Sequence, residues 1–188
     1  MRPLSKTRFL ALVVVCAALN IGVGSTVATL KLPFFLDSIG TVIATMLGGV
    51  WAGIVTALLG TTIGSAFAPT LWAYSCTAIA IALYTALVRR TGYVRKIVPT
   101  VIFGLLLGVL TAVLSAPVTT YVWKGVTLSG ADALVPFLVA AGNQMITSTL
   151  LSGLSNDPLD KLVTSLIVFA LLSRVPPAWL EDEAHAQE

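Results

Sequence analysis

The segment SNDPLDKLV at 155–163 sets Asp157, Asp160 and Lys161 within five residues of one another, in a chain of which 10% is charged. Two carboxylates and an ammonium at that spacing suit three jobs: holding a polar ligand, capping a helix, or marking a loop at a membrane face. Asp157 has the character of an N-cap, Pro158 suits a first helical position, and Asp160 then sits in the first turn near the positive end of the dipole. Lys161, four residues after Asp157, can pair with it. A cation at a helix N-terminus opposes the dipole, so capping explains Lys161 least well and makes it the strongest candidate for ligand contact.

Other polar residues fall inside or beside apolar runs, where they are costly and are candidates for function. Asn20 lies within the first run. Lys31, Asp37, Ser38 and Thr41 lie in LKLPFFLDSIGT, Asn143 and Gln144 precede the opening segment, and Asn156 lies within it. Trp72, Tyr74, Tyr121 and Trp123 form either an interfacial aromatic belt or a surface on which a ring could stack. Asp37 can instead cap a helix beginning near Ser38, and Asn20 can bond a neighbouring helix.

No catalytic constellation accompanies these groups. The single histidine, His185, lies in EDEAHAQE without the cysteines or carboxylates of a zinc site. No G-x-x-x-x-G-K-[ST] pattern occurs, so no ATPase, metal or cofactor site is expected. Uptake powered by this chain alone would need a coupling-ion site, and 38–131 contains no carboxylate. The net charge of +3, without a basic stripe, argues against nucleic acid.

The elements that must position these residues are apolar helices. Hydrophobic residues make up 57% of the chain and mean hydropathy is +0.96. Uncharged runs cover 9–30, 38–88, 97–123 and 133–156, against roughly 20 apolar residues for one crossing. The reading is an all-α, polytopic membrane bundle of about six spans, a single domain over 1–176 followed by a polar tail at 177–188. The first run is too long for a signal-peptide core and is expected to be retained. Glycines in GGVWAG and Pro69 divide the longest run, giving spans near 9–29, 36–50, 52–67, 71–88 and 97–122. Cys16 and Cys76 fall in these spans and are expected to be buried thiols.

Arg2, Lys6 and Arg8 lie four spans from Arg89, Arg90, Arg95 and Lys96, so both clusters, and the N-terminus, are expected on the cytoplasmic side. The segment 133–155 either crosses, making seven spans, or lies along the outer face or dips in and returns, with the last helix running inward from Asp157 and six spans in all. The second arrangement puts Arg174 with the other cytoplasmic cations. Small residues recur at fourfold spacing: Ala18–Gly22, Gly60–Gly64, Ala78–Ala82–Ala86 and Gly104–Gly108–Ala112–Ala116. Such rows allow close backbone approach in lipid, within the chain or against a partner subunit.

Three stretches, LPFFLDSIGTVIATMLGGVWAGIVTALLGTTIG at 32–64, SAPVTTYVWKGVTLSGAD at 115–132 and NDPLDKLVTSLIVFALLSRVP at 156–176, resemble the substrate-binding S components of energy-coupling factor (ECF) importers. The resemblance covers about residues 8–176. It implies a multi-pass protein of the bacterial cytoplasmic membrane that captures a vitamin or similar micronutrient at the outer face. Its implied partners are a transmembrane coupling subunit and two cytoplasmic ATPases. It places Asp160 and Lys161 near the binding cavity, with Asn20, Lys31, Asp37, Thr41, Trp72, Tyr74, Tyr121, Asn143 and Gln144 as further substrate-binding candidates. It assigns Ala18 and Gly22, in place of the family's Ala-x-x-x-Ala, to partner contact. Family members that carry metals typically use an N-terminal histidine, so Met1-Arg2-Pro3 disfavours a metal cargo. A membrane sensor and a self-sufficient permease are the competing readings.

Overall fold

A computed structural model describes residues 5–89, 96–125, 127 and 134–175. The described chain is helical. The order is α1 (Lys6–Thr29), α2 (Ile39–Gly64), a 3-10 turn (Pro69–Tyr74), α3 (Ser75–Arg89), α4 (Ile97–Pro117), a π-helical turn (Val118–Val122), α5 (Leu134–Ala140) and α6 (Met145–Leu172). Four stretches are long and apolar enough to cross a membrane: Lys6–Thr29, Ile39–Gly64, Pro69–Arg89 and Ile97–Val122. α6, which carries Asp157, Asp160 and Lys161, is not among them. The expected tail at 177–188 lies outside the described residues, as do Arg2, Arg90 and Arg95.

The Ile39–Gly64 stretch is not one straight rod. Gly49 has φ 82° and ψ −178°, a backbone region open to glycine and almost nothing else. Gly40 and Gly60 both pack on Asn20 of α1, although a straight helix would hold them about 30 Å apart. Gly53 lies against Thr45 across the bend. The chain therefore doubles back at Gly49, and the glycine turn expected in GGVWAG is present. The arms, 39–48 and 50–64, are about 15 and 22 Å long. α3 then runs antiparallel to the second arm: Ser75 Oγ and Thr61 Oγ1 lie 3.0 Å apart, and Ala82 faces Gly53.

α4 and α6 form the other half, antiparallel and in backbone contact along their length. Gly104 meets Lys161 and Leu162, Gly108 meets Asp157 and Pro158, and Ala112 meets Gly153. The Ala116 carbonyl accepts from Thr149 Oγ1 at 3.4 Å. The Gly104–Ala116 row thus serves packing within the chain, with Phe103, Leu107, Val168 and Leu172 buried beside it. A methyl group at Gly108 would collide with the Pro158 backbone. Gly108→Ala is expected to separate the pair and lower stability by ~1–3 kcal/mol, seen as a lower unfolding midpoint in detergent.

This pairing corrects the expected start of the last helix. α6 begins at Met145, and Asp157 and Pro158 lie in its interior. The described part of the 133–155 segment, 134–155, is not one helix: it divides into α5 and the first turns of α6. Cys16 is buried, but Cys76 is exposed.

Candidate functional site

The groups that the chain brings together meet where the loop between α1 and α2 touches the middle of α6. Loop residues 30–38 have no regular hydrogen-bonding pattern, and Leu36 has φ 47°. Backbone donors in such a segment need partners when they lie within a membrane bundle. Asp160 supplies two of them, its Oδ1 accepting from the N–H groups of Phe35 at 2.8 Å and Leu36 at 2.9 Å. The other oxygen, Oδ2, faces the Lys161 ammonium at 2.6 Å. Lys161 Nζ also donates to Ser38 Oγ at 3.0 Å and lies 3.6 Å from Asp37 Oδ1. Asp160 and Lys161 are buried, whereas the Asp37 side chain is 39% exposed.

Asn20 fastens the same region from α1. Its Oδ1 accepts from the Gly40 N–H at 2.6 Å, and its Nδ2 donates to Thr41 Oγ1 at 2.9 Å. Gly24 of α1 packs on Asp37, and a methyl group at Gly40 would collide with the Cys16 carbonyl. Asn20, Asp37, Thr41, Asp160 and Lys161 therefore form one knot of polar side chains from four parts of the chain. Its chemistry is mixed charge held in an apolar frame, with a carboxylate as the member that solvent reaches.

The structure reassigns two roles expected from the sequence. Asp37 does not cap α2; the position before the helix is Ser38, which makes no side-chain cap bond. Lys161 is paired with Asp160 and Asp37 and not with Asp157. Burial favours this, because a mid-helix ammonium needs its counter-ion close and its remaining protons bonded.

Other candidates lie elsewhere. Lys31 is exposed, with φ 51°, at the start of the loop. Trp72 and Tyr121 are exposed. Tyr74 Oη lies 2.8 Å from Thr119 Oγ1, joining the 3-10 turn to the π-helical turn, and Thr120 Oγ1 lies 2.7 Å from Thr149 Oγ1, joining that turn to α6. Asn143 and Gln144 are exposed between α5 and α6, and Asn143 Nδ2 donates to the Leu138 carbonyl at 3.0 Å. Ala18 and Gly22 are exposed on α1, with nothing within 4 Å of a side chain built at Gly22.

A separate, largely apolar cavity of about 370 Å³ lies between Lys124 and Gly125, α5 and the start of α6, with Val135, Val139 and Met145 on its walls. The site residues that sequence reasoning missed are the Phe35 and Leu36 amides and Thr111, which neighbours Asp157 across the α4–α6 contact. Backbone donors carry no sequence signal, and Thr111 is one of many threonines in apolar helices. No family model, curated protein or solved structure matches the chain.

Proposed function

We propose that this chain is the substrate-capture membrane subunit of an ATP-driven importer of the ECF type. It binds a small polar micronutrient at the outer end of the bundle, and partner coupling and ATPase subunits drive release inward. The observation that carries this reading is the charged knot beneath the α1–α2 loop, with Asp37 half-exposed over the buried Asp160–Lys161 pair. Charge inside a membrane bundle is costly and is kept where a ligand or an ion uses it.

In the proposed topology the chain crosses six times, counting the two arms of α2, with its N-terminus in the cytoplasm of a bacterial cell. Lys6, Arg8, Arg89, Lys96 and Arg174 then share the cytoplasmic side. The first arm of α2, about 15 Å long, is half of a ~30 Å hydrocarbon core, so the preceding loop dips inward and meets α6 at depth.

Native mass spectrometry of gently purified protein tests the capture step. A small polar molecule is expected to remain bound, and Asp37→Asn is expected to lower its occupancy about tenfold, since a hydrogen bond to a charged group contributes ~1.5–3 kcal/mol. Absence of any bound molecule, or equal occupancy in the variant, contradicts the site.

Ala18 and Gly22 are the proposed partner contact. A Cβ at position 22 has no atom of this chain within 4 Å and the position is exposed, so the fold of Gly22→Leu is expected to stay within ~0.5 kcal/mol of wild type. Recovery of the coupling subunit with the variant is expected to be lost. Intact assembly with lost ligand binding would move Gly22 to the ligand site.

A self-sufficient permease is the second reading, favoured by Asp157 and Asp160 lying near the middle of α6. Uptake into liposomes containing this chain alone, without nucleotide or partners, would establish it.

A further inference from the structure

The charges of the knot do not balance. Asp37 and Asp160 bring two carboxylates, and Lys161 is the ammonium between them. The two pairings are unequal. Asp160 Oδ2 lies 2.6 Å from Nζ, whereas Asp37 Oδ1 lies 3.6 Å away, beyond hydrogen-bonding distance. Asp160 is buried, and its other oxygen accepts from the Phe35 and Leu36 amides. Asp37 is therefore the less compensated carboxylate, and it is the one that solvent reaches.

The same geometry limits what the knot can still bind. Lys161 is buried, and its ammonium is engaged by Asp160, Ser38 and Asp37. Lys31, the other cation of the loop, is exposed, and among the described residues Asp37 is ion-paired with Lys161 alone. An anion arriving at this point would meet a carboxylate, with the ammonium already engaged behind it. A cation would meet an acceptor whose charge is only partly matched. The donor set also bears on the kind of cation. Among the described residues, no group of three His, Cys, Asp or Glu side chains is placed to hold a metal ion. An organic ammonium or amidinium brings its own N–H donors and needs one carboxylate, whose two oxygens match an amidinium in a bidentate pair.

We propose that the molecule captured here is a small organic cation, its ammonium or amidinium group held by Asp37 in competition with Lys161. This names the substrate class of the site proposed above and rests on that reading. Lys161 is then an internal counter-ion and not a ligand contact. Removing its charge strengthens the hold of Asp37 on a cation, whereas a site for anions would lose its attraction.

Benzamidine, benzamide and benzoate are similar in size and shape and differ in charge, and they serve as probes. The unfolding midpoint of the full chain in detergent is measured against the concentration of each. Benzamidine is expected to raise the midpoint, and benzamide and benzoate are not. Asp37→Asn is expected to weaken benzamidine binding about tenfold or more. The double variant Asp160→Asn with Lys161→Met leaves Asp37 without its competitor. It is expected to bind benzamidine about two- to fivefold more tightly than wild type, the worth of a half-exposed ion pair. Preference for benzoate, an equal response to all three probes, no response to any, or undiminished binding in Asp37→Asn overturns the proposal. Weaker benzamidine binding in the double variant overturns the competition with Lys161. If the double variant does not fold, wild type and Asp37→Asn decide the matter. Native mass spectrometry separates this inference from the capture reading. A retained molecule that is anionic or uncharged at neutral pH overturns the cation class and leaves capture standing. A benzamidine response in protein that retains nothing supports the cation site and overturns capture.

Discussion

Asp160→Ala is expected to destabilise the folded protein by ~3–5 kcal/mol, the range for breaking a buried ion pair from one side. One carboxylate serves three donors: the Phe35 and Leu36 amides and the Lys161 ammonium. Truncation leaves all three in an apolar frame, with only Asp37 and Ser38 near the ammonium. It also frees Leu36 from the conformation with φ 47° that the carboxylate helps to hold. Unfolding by denaturant in detergent should show a lower midpoint, and the loop should become sensitive to protease. The double variant Asp160→Asn with Lys161→Met removes both charges and keeps an acceptor for the two amides. Its loss should be smaller than the sum of the single losses, with coupling of ~1–3 kcal/mol. Additive losses would mean that the pair is not an energetic unit.

Gly49→Val is expected to abolish the native hairpin of α2. At φ 82° and ψ −178° a β-branched residue carries ~1–3 kcal/mol of backbone strain, and Gly49 is buried, so its new methyls also need room. A bend that cannot close separates Thr45 from Gly53 and takes either Gly40 or Gly60 off Asn20. Expression of monodisperse protein should be lost or sharply reduced. Gly48→Ala, one residue earlier at a helical position, is the control and should behave as wild type. Equal behaviour of the two variants would contradict the reversal at Gly49.

The helical class, the reversal near GGVWAG and the packing role of Gly104–Ala116 were readable because each rests on a local pattern: hydropathy over a span, glycines at a turn, small residues at fourfold spacing. Asn20, Asp37, Thr41, Asp160 and Lys161 were readable as polar residues out of place. Their partners were not. Asp157-Pro158 has the form of a helix start, yet α6 runs through it from Met145, packed by Gly108 against Pro158. A proline loses one helical hydrogen bond wherever it sits after the first turn, and tertiary packing over a 28-residue helix outweighs that loss. The pairing of Asp160 with loop amides 124 and 125 residues away is a product of the fold, and no local pattern encodes it.

The proposed function places this chain in a larger assembly, and the most direct measurement is to purify it gently from its native membranes and identify what accompanies it. Recovery of a membrane coupling subunit together with two ATPases is the predicted result. Recovery of the chain alone, or with a signalling protein, under conditions that keep importers of this kind intact, would contradict it.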